Sequence, residues 1–358
     1  MPSPRTLGKY HVLERLAATP LAEIFKVKTV GIAGFEKVQV LSRVTPGYSQ
    51  DPAFARAFVE EAKIAFSLNH RNIVQVFEFG KVDGELFLAT EYIPGVNLRE
   101  VLRVCRERET TLPVGLACYL MGEVAAGLEY AHRKTDQWGQ ALGVVHCDLC
   151  PLNIACSFEG SVKILDFGSA RAAYQTVPYL ERHLELPHYM SPEQVSGEQL
   201  AAKGFPGGNE VDALSDIFSF GTILWELLTG TPLFGGDTIA EVHEAIVDGP
   251  MPTPRTFNHD VPDSLDDVTM RCLERKPERR FTSANDLQLE LHRIQRDVGA
   301  VIGSRALSTF LGELLPDYPD TRDVRQESIA GSEDRLATRR RDEGNRMRRG
   351  ESLIDAAA

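Results

Sequence analysis

The first ninety residues are rich in strand-length stretches. Tyr10 to Leu16, Ile24 to Lys28 and Val38 to Val44 each mix β-branched and polar residues, and two further strands are predicted around Val74 to Phe77 and Leu86 to Thr90. One helix interrupts them. Asp51-Pro52 opens it, Phe54, Phe58, Ala62, Ala65 and Leu68 recur at three-to-four spacing, and Asn69-His70 closes it. Pro94-Gly95 is a turn signal that reads as a hinge. Beyond it the texture is helical. Leu116 to His132 places Leu116, Leu120, Val124, Leu128 and Ala131 on one face, and Ser215 to Thr229 is a second, more apolar helix. The globular part is expected to finish near Arg296, with a short apolar helix, Leu307 to Leu315, packing back onto it. From Pro316 the chain turns charged and poor in apolar residues, with Arg339-Arg340-Arg341 and Arg348-Arg349, which predicts a disordered tail.

Composition narrows the class. A chain of 358 residues with 43% apolar and 25% charged residues suits one two-lobed domain or two compact ones, and argues against wholesale disorder. The formal net charge of −12 disfavours nucleic acid or an anionic membrane as the main partner. Met1 to Arg5 leads into no apolar run that would make a signal peptide. The apolar run Phe220 to Trp225 stops at Glu226, far short of a bilayer span. The six cysteines are unevenly placed and do not form a disulfide framework. Cys147 and Cys150 have CxxC spacing without the second pair that a zinc site needs. A reduced, cytoplasmic protein is expected.

The candidate chemistry lies in the loop-rich segment between the two long helices. It holds His146-Cys147-Asp148-Leu149-Cys150-Pro151-Leu152-Asn153 and then Leu165-Asp166-Phe167-Gly168. Met190-Ser191-Pro192-Glu193, Asp216 with Gly221, and Pro277-Glu278-Arg279-Arg280 follow in order. Asp-Phe-Gly alone is weak, but these motifs in this order resemble the eukaryotic-type serine/threonine protein kinases. Gly34-Phe35-Glu36-Lys37 and Phe58 to Ala65 look most like bacterial members. The resemblance covers about residues 8–296. It implies an α+β, bilobal protein-kinase-like fold, with a small β-rich N-lobe carrying one long helix and a larger, mainly helical C-lobe. The expected division is an N-terminal extension 1–7, N-lobe 8–93, C-lobe 94–296, helical extension 297–315 and tail 316–358. By the same resemblance Asp148, Asn153 and Asp166 are the catalytic set. Asp148 would orient the acceptor hydroxyl, while Asn153 and Asp166 would hold Mg²⁺ through hard oxygen ligands. Asp216 would hydrogen-bond the catalytic-loop backbone, and Glu193 would pair with Arg280. The cofactor-binding set is Ile24, Val40, Thr90, Glu91, Ile93 and Ala155, with Thr90 as gatekeeper and the backbone of Glu91 and Ile93 at the adenine edge.

The departures from the family pattern are substantial. The segment Leu16 to Ile24, which should cover the phosphates, contains no glycine, and Pro20 removes a backbone donor. Ser42 stands where a strand lysine should grip the α/β-phosphates, which leaves Glu61 without that lysine as partner. Arg43 is next door, but strand alternation points it to the opposite face. Cys147 replaces the arginine before the catalytic aspartate, and Cys150 the lysine two places after it. Glu185-Leu186-Pro187 stands in place of a Gly-Thr pair.

Three functions follow as alternatives. One is a pseudokinase acting on protein partners as scaffold or allosteric regulator. The second is an active serine/threonine kinase in which Lys26 or Lys28, on the strand of Ile24 with its parity, replaces the lost cation. The third is a nucleotide sensor without transfer. Weak or absent binding of ATP and Mg²⁺ is expected. Tyr174, Thr176 and Tyr179 are ordinary candidate phosphosites, and the oligomeric state stays open.

Overall fold

The computed structural model describes residues 6–19, 21–167, 186–202, 211–298 and 302–316. Pro20, Gly168, Tyr174, Thr176, Tyr179, Glu185 and the arginine-rich tail lie outside the described residues.

The upper lobe is a six-stranded antiparallel sheet. Its strands are β1 (Thr6–Leu7), β2 (Tyr10–Ala18), β3 (Ala22–Val30), β4 (Glu36–Val44), β5 (Val76–Val82) and β6 (Glu85–Glu91), in spatial order β1-β2-β3-β4-β6-β5. Alternation divides the sheet into two faces. Phe25, Val27 and Leu41 pack with Tyr10 and Phe87 on one side. Ile24 and Val40 pack with Leu16 and Ala17 on the other. Helix α1 (Pro52–Ser67) begins where the sequence predicts. The Asp51 side chain accepts from the amides of Ala53 and Phe54, both at 2.8 Å, and Pro52 occupies the first helical turn, where no N–H is needed. Its apolar stripe reaches the sheet through Phe54, which packs with Val44 and Leu86, and through Ala62 and Ala65, which pack with Val76 and Leu88.

Two boundaries differ from the sequence pattern, each for a tertiary reason. The strand expected at Val74 to Phe77 starts at Val76, because Ile73 and Val74 pair with Ile164 of the lower lobe instead, the Val74 amide donating to its carbonyl at 2.9 Å. Gly95 stands in a strand where the sequence predicts a turn. It opens β7 (Gly95–Asn97), which pairs with β8 (Ile154–Ser157), itself paired with β9 (Val162–Ile164). A Cβ at Gly95 would sit 2.2 Å from the Cys156 carbonyl oxygen, so only glycine permits this approach. Asn97 then caps helix α2 (Leu98–Glu107), accepting from the Glu100 amide at 2.9 Å.

The lower lobe is built on α3 (Val114–His132), followed by α4 (Pro192–Ala202) and α5 (Ala213–Thr229). Helices α6 (Ile239–Asp248), α7 (Asp263–Cys272), α8 (Ala284–Asp297) and α9 (Ser304–Leu314) complete it. Leu116, Leu120, Val124 and Leu128 of α3 share one core with Ile217, Phe220 and Leu224 of α5 and Leu287 and Leu291 of α8. Helix α9 joins that core through Leu307, Leu311 and Leu314, and its Ser308 hydroxyl donates to the Phe158 carbonyl at 2.7 Å. Gly160, at φ +84°, allows the helix to lie close: a Cβ there would fall 1.8 Å from the Ser304 carbonyl oxygen. Among the described residues no helix is long and apolar enough to cross a membrane.

Because Leu307 is fully buried, Leu307→Ala should cost about 2–5 kcal/mol, whereas exposed Leu289→Ala should stay within about 0.5 kcal/mol. Urea denaturation of both variants checks this. Equal costs would mean that α9 is no part of the core.

Candidate active site

The candidate site begins with a carboxylate that touches no solvent. Asp216, in the first turn of α5, accepts from the backbone amides of His146 (2.8 Å) and Cys147 (3.0 Å) and meets the His132 ring nitrogen at 2.8 Å. Burial opposes its ionisation, but the His132 hydrogen bond and charge and the His146 amide outweigh burial and hold it below the usual carboxylate range. His146 is itself buried, and burial pushes its pKa down. Its two ring nitrogens suit a neutral imidazole: Nε2 donates to the Leu165 carbonyl at 2.9 Å and Nδ1 accepts the Asp148 amide at 3.2 Å. Its ring meets Phe167 edge to face, with centroids 4.6 Å apart. The loops carrying Asp148 and Asp166 are therefore fixed to each other through one histidine.

Asn153 donates from its amide nitrogen to both the carbonyl (2.9 Å) and the carboxylate (3.0 Å) of Asp148. That leaves its amide oxygen as the atom suited to a hard cation. The Leu165 amide donates to the Asn153 carbonyl at 2.8 Å, which ties the Asp166 loop alongside. Cys147 at φ 64° and Asp166 at φ 57° both adopt left-handed backbone, a conformation that costs energy in a non-glycine residue and recurs at functional sites. Cys150 is buried, and burial holds its thiol well above the usual value, so it stays neutral. Glu193 and Arg280 form the expected buried pair, at 2.7 and 2.9 Å, with the Ser215 hydroxyl adding a bond to Glu193 at 2.7 Å.

The upper face of the cleft is read from strand register. Lys26, Val40 and Thr90 lie directly opposite one another across β3, β4 and β6, and Ile24, Ser42 and Leu88 form the next rung on the same face. Ile24 and Val40 share an apolar cluster with Leu16, Ala17 and Tyr92, while Ile93 and Ala155 share one with Val74 and Leu165. Hinge residues Tyr92 and Ile93 thus join the upper cluster to the lower. The Glu91 amide donates to the Gln75 carbonyl at 2.9 Å, and its carboxylate pairs with Lys163 at 2.9 Å. Tyr92 and Lys163 carry no motif, so the sequence gives no sign of either. Only the register across three strands brings Tyr92 to Lys26.

Neither candidate replacement lysine stands at the Ser42 rung. Lys26 is one rung nearer the hinge, about 7 Å along the strand. Its ammonium donates to the Tyr92 hydroxyl at 2.8 Å and lies 4.2 Å from that ring's centroid. Lys28 pairs with Glu36 at 2.7 Å. Arg43 takes the opposite face, as alternation requires, where it pairs with Glu23 and Glu85 and lies over Phe25. Glu61 is half-buried. The glycine-free loop is closed on itself: the Thr19 amide donates to the Ala22 carbonyl at 2.8 Å, and the Ala22 amide donates to the Thr19 hydroxyl at 2.9 Å. Two amides that could face a phosphate are already used.

The residues present fit one half of a nucleotide. The Thr90 hydroxyl is buried, and among the described residues it is the buried side-chain polar atom with no hydrogen-bond partner, on the sheet face of Val40. That suits a planar base. Among the described residues the phosphate end offers Ser42, the Thr19–Ala22 turn and two carboxylates, a set that does not fit a triphosphate. Among the described residues no three His, Cys, Asp or Glu side chains cluster as a metal site.

Two lobes about a hinge, with a histidine-anchored aspartate loop facing an Asp-Phe loop, define a protein-kinase fold. The family model of the protein kinase domain matches residues 40–291. The tyrosine-protein kinase MasK of Myxococcus xanthus is 32% identical over 305 residues, covering 85% of this chain and 46% of that protein. The serine/threonine-protein kinase PknB of Mycolicibacterium smegmatis is 30% identical over 303 residues, covering 82% and 44%. The crystal structure of the Mycobacterium tuberculosis PknI kinase domain shares the fold, with a TM-score of 0.59 at 24% identity over 82% of this chain and 99% of that one. The chain belongs to the protein kinase family, alongside bacterial members of the eukaryotic type, and spans under half the length of these curated relatives.

The buried groups predict an acid-sensitive fold. Below the ordinary histidine value of 6.5 the unfolded chain gains a proton that buried His146 refuses, so stability falls as pH drops. Burial opposes ionisation of Glu193, but the Arg280 hydrogen bond and charge hold it below 4.5, and Asp216 sits below 3.8. Their stabilisation is complete above those values and lost as pH falls through the lower folded ones. Urea midpoints should decline below about pH 6.5 and steepen below about pH 4.5. Arg280→Ala should cost about 3–5 kcal/mol at neutral pH by leaving Glu193 buried and unpaired. A flat profile would contradict this assignment.

Proposed function

We propose that this chain is a kinase-fold signalling module with little phosphoryl-transfer capacity, a pseudokinase that works on protein partners as scaffold or allosteric regulator. The observation that carries the reading is Ser42 on the phosphate-side rung while Lys26 is held by Tyr92 and Lys28 by Glu36. Removing one preorganised donor aimed at developing charge costs on the order of 10²–10³ in rate, about 3–4 kcal/mol. Here the lysine and two loop amides are withdrawn together, so turnover falls far below ordinary kinase rates even with strong non-additivity. The lobes are taken as residues 8–93 and 94–296, with 297–315 as an extension of the lower lobe, and a cytoplasmic setting belongs to the same reading.

One observation favours a second reading, an active kinase. The lower-lobe parts are assembled: Asn153 is bonded to Asp148, Phe167 is seated on His146, and Glu193 is paired with Arg280. The relatives are named tyrosine and serine/threonine kinases, so the acceptor would be a protein hydroxyl. Asp148 would orient it, Asn153 and Asp166 would hold the metal, and Lys26 would have to leave Tyr92. A nucleotide sensor without transfer is the third reading, favoured by the same assembled loops.

Incubation with radiolabelled ATP and a generic acceptor protein separates these readings. Wild type should incorporate no more label than Asp166→Ala, and Ser42→Lys should stay at that background because the loop at Thr19 remains closed. Label that disappears with Asp166→Ala would defeat the pseudokinase reading. Recovery in Ser42→Lys would shift the whole defect onto the missing lysine.

A further inference from the structure

We infer that a second pocket, on the lower lobe at the C-terminal end of α6, takes a short peptide segment of a protein partner in which an apolar side chain stands beside a carboxylate. The inference deepens the reading that this chain works on protein partners, and rests on that part of it. The pocket measures about 430 Å³, inside the range of about 300–1,000 Å³ that ligand sites occupy. It lies where the end of α6, helix α7 and the turn Pro277–Arg279 meet, and its lining includes none of the candidate active-site residues. The floor is soft and apolar. Leu273 is fully buried, and Met251 and Met270 pack half-buried against the cluster it shares with Phe234 and Ile246. Unbranched thioethers adapt to side chains of different shape, so this floor accepts an aliphatic or aromatic group without dictating which.

The walls are fixed by the fold. Arg275 donates from Nε to the Ile246 carbonyl at 3.0 Å, and its terminal nitrogen reaches the carbonyls of Ala245 (3.4 Å) and Gly249, which pins the end of α6. The buried Arg280 guanidinium donates to the carbonyls of Glu274 (2.7 Å) and Arg275 (3.2 Å) and so holds the segment that forms the other wall. Two arginines are left to meet a ligand. Arg271 lies over the buried Phe281 ring, 4.1 Å from its centroid. Stacking orients a guanidinium plane and uses none of its five N–H donors, the fork that matches a carboxylate. Arg279 is 62% exposed, and its ion-pair partner among the described residues is Glu274 at 4.0 Å, beyond hydrogen-bond reach. Charge then sets the class of ligand. Asp267 and Glu274 also line the pocket, so three arginines stand with two carboxylates and the local balance is +1. One carboxylate beside an apolar side chain matches that balance, whereas a run of phosphates would meet both acids. The chain as a whole carries −12, so an acidic segment is repelled from most of its surface and registered here.

The test is selection of a random peptide library displayed on phage against the full chain, followed by fluorescence anisotropy with the selected peptide. Selected sequences should place a large apolar residue beside an aspartate or glutamate. Arg271→Glu and Arg279→Glu should each weaken that peptide at least about tenfold, and so should exchanging its acidic residue for the amide. Arg279→Glu alters an exposed side chain, so its melting temperature should stay at the wild-type value, which separates lost binding from lost folding. Arg271→Lys keeps the charge without the planar fork and should also bind more weakly than wild type. No enrichment after selection, enriched peptides that lack an acidic residue, or binding that survives both glutamate variants would overturn the inference. A phosphoserine in place of the acidic residue that bound about tenfold more tightly would overturn its choice of a carboxylate. Failure of the pseudokinase reading shows instead as Asp166-dependent transfer of label, whatever the anisotropy gives.

Discussion

A single buried carboxylate sets the geometry of the lower lobe. Asp216 is ionised inside the protein, and an unpaired charge at such depth costs several kcal/mol. It is tolerated because two backbone amides and His132 converge on it. Those amides belong to His146 and Cys147, so the charge also dictates the path of the catalytic loop. The unfavourable φ of Cys147 follows from presenting both amides to one acceptor. From there His146 reaches Leu165, and Asn153 reaches Asp148. The placement of every candidate catalytic group in this lobe traces back to that one acceptor.

The upper lobe follows a different economy of charge. Lys28 and Arg43 pair with glutamates, and Lys26 with the hydroxyl and ring of Tyr92. The loop from Ala18 to Ala22 shows the same tendency, with the Thr19 hydroxyl and amide closing the turn on themselves. One lobe therefore ties Asp148, Asn153 and His146 into bonded loops, while in the other Lys26, Lys28 and the Thr19 and Ala22 amides bond within the lobe. The asymmetry is chemical, not architectural, because the fold is complete in both halves.

Much of the fold was legible because its signals are local. The helix at Pro52 announced itself by an aspartate cap, a first-turn proline and an apolar stripe, and it forms within a residue of its expected end. Four upper strands matched, those expected at Tyr10 to Leu16, Ile24 to Lys28, Val38 to Val44 and Leu86 to Thr90, because each is a local run of strand-forming residues. Helix Leu98–Glu107 was not, since its marker is one asparagine cap and its buried residues are diluted by arginine and glutamate. The strand near Val74 was displaced because Ile73 and Val74 answer to Ile164, ninety positions away in the sequence, and no local pattern reports that pairing. Gly95 looked like a turn glycine but serves close approach of two backbones. In the candidate site, Asp148 and Asn153 came from the resemblance of the motifs, and the fold brings them together because they share one loop.

Most strands and helices, the capped helix, the aspartate loops, the lack of glycine from Leu16 to Ile24 and the serine at position 42 were determined by the sequence alone. Those are properties of residue type and of neighbours a few positions apart. Where Lys26 spends its charge, that Thr90 is left with an unmatched hydroxyl, and that Thr19 closes the loop were decided only by tertiary structure. The physical reason is register: which side chains share a rung depends on how three strands slide past one another, and that is fixed by burying both faces of the sheet at once.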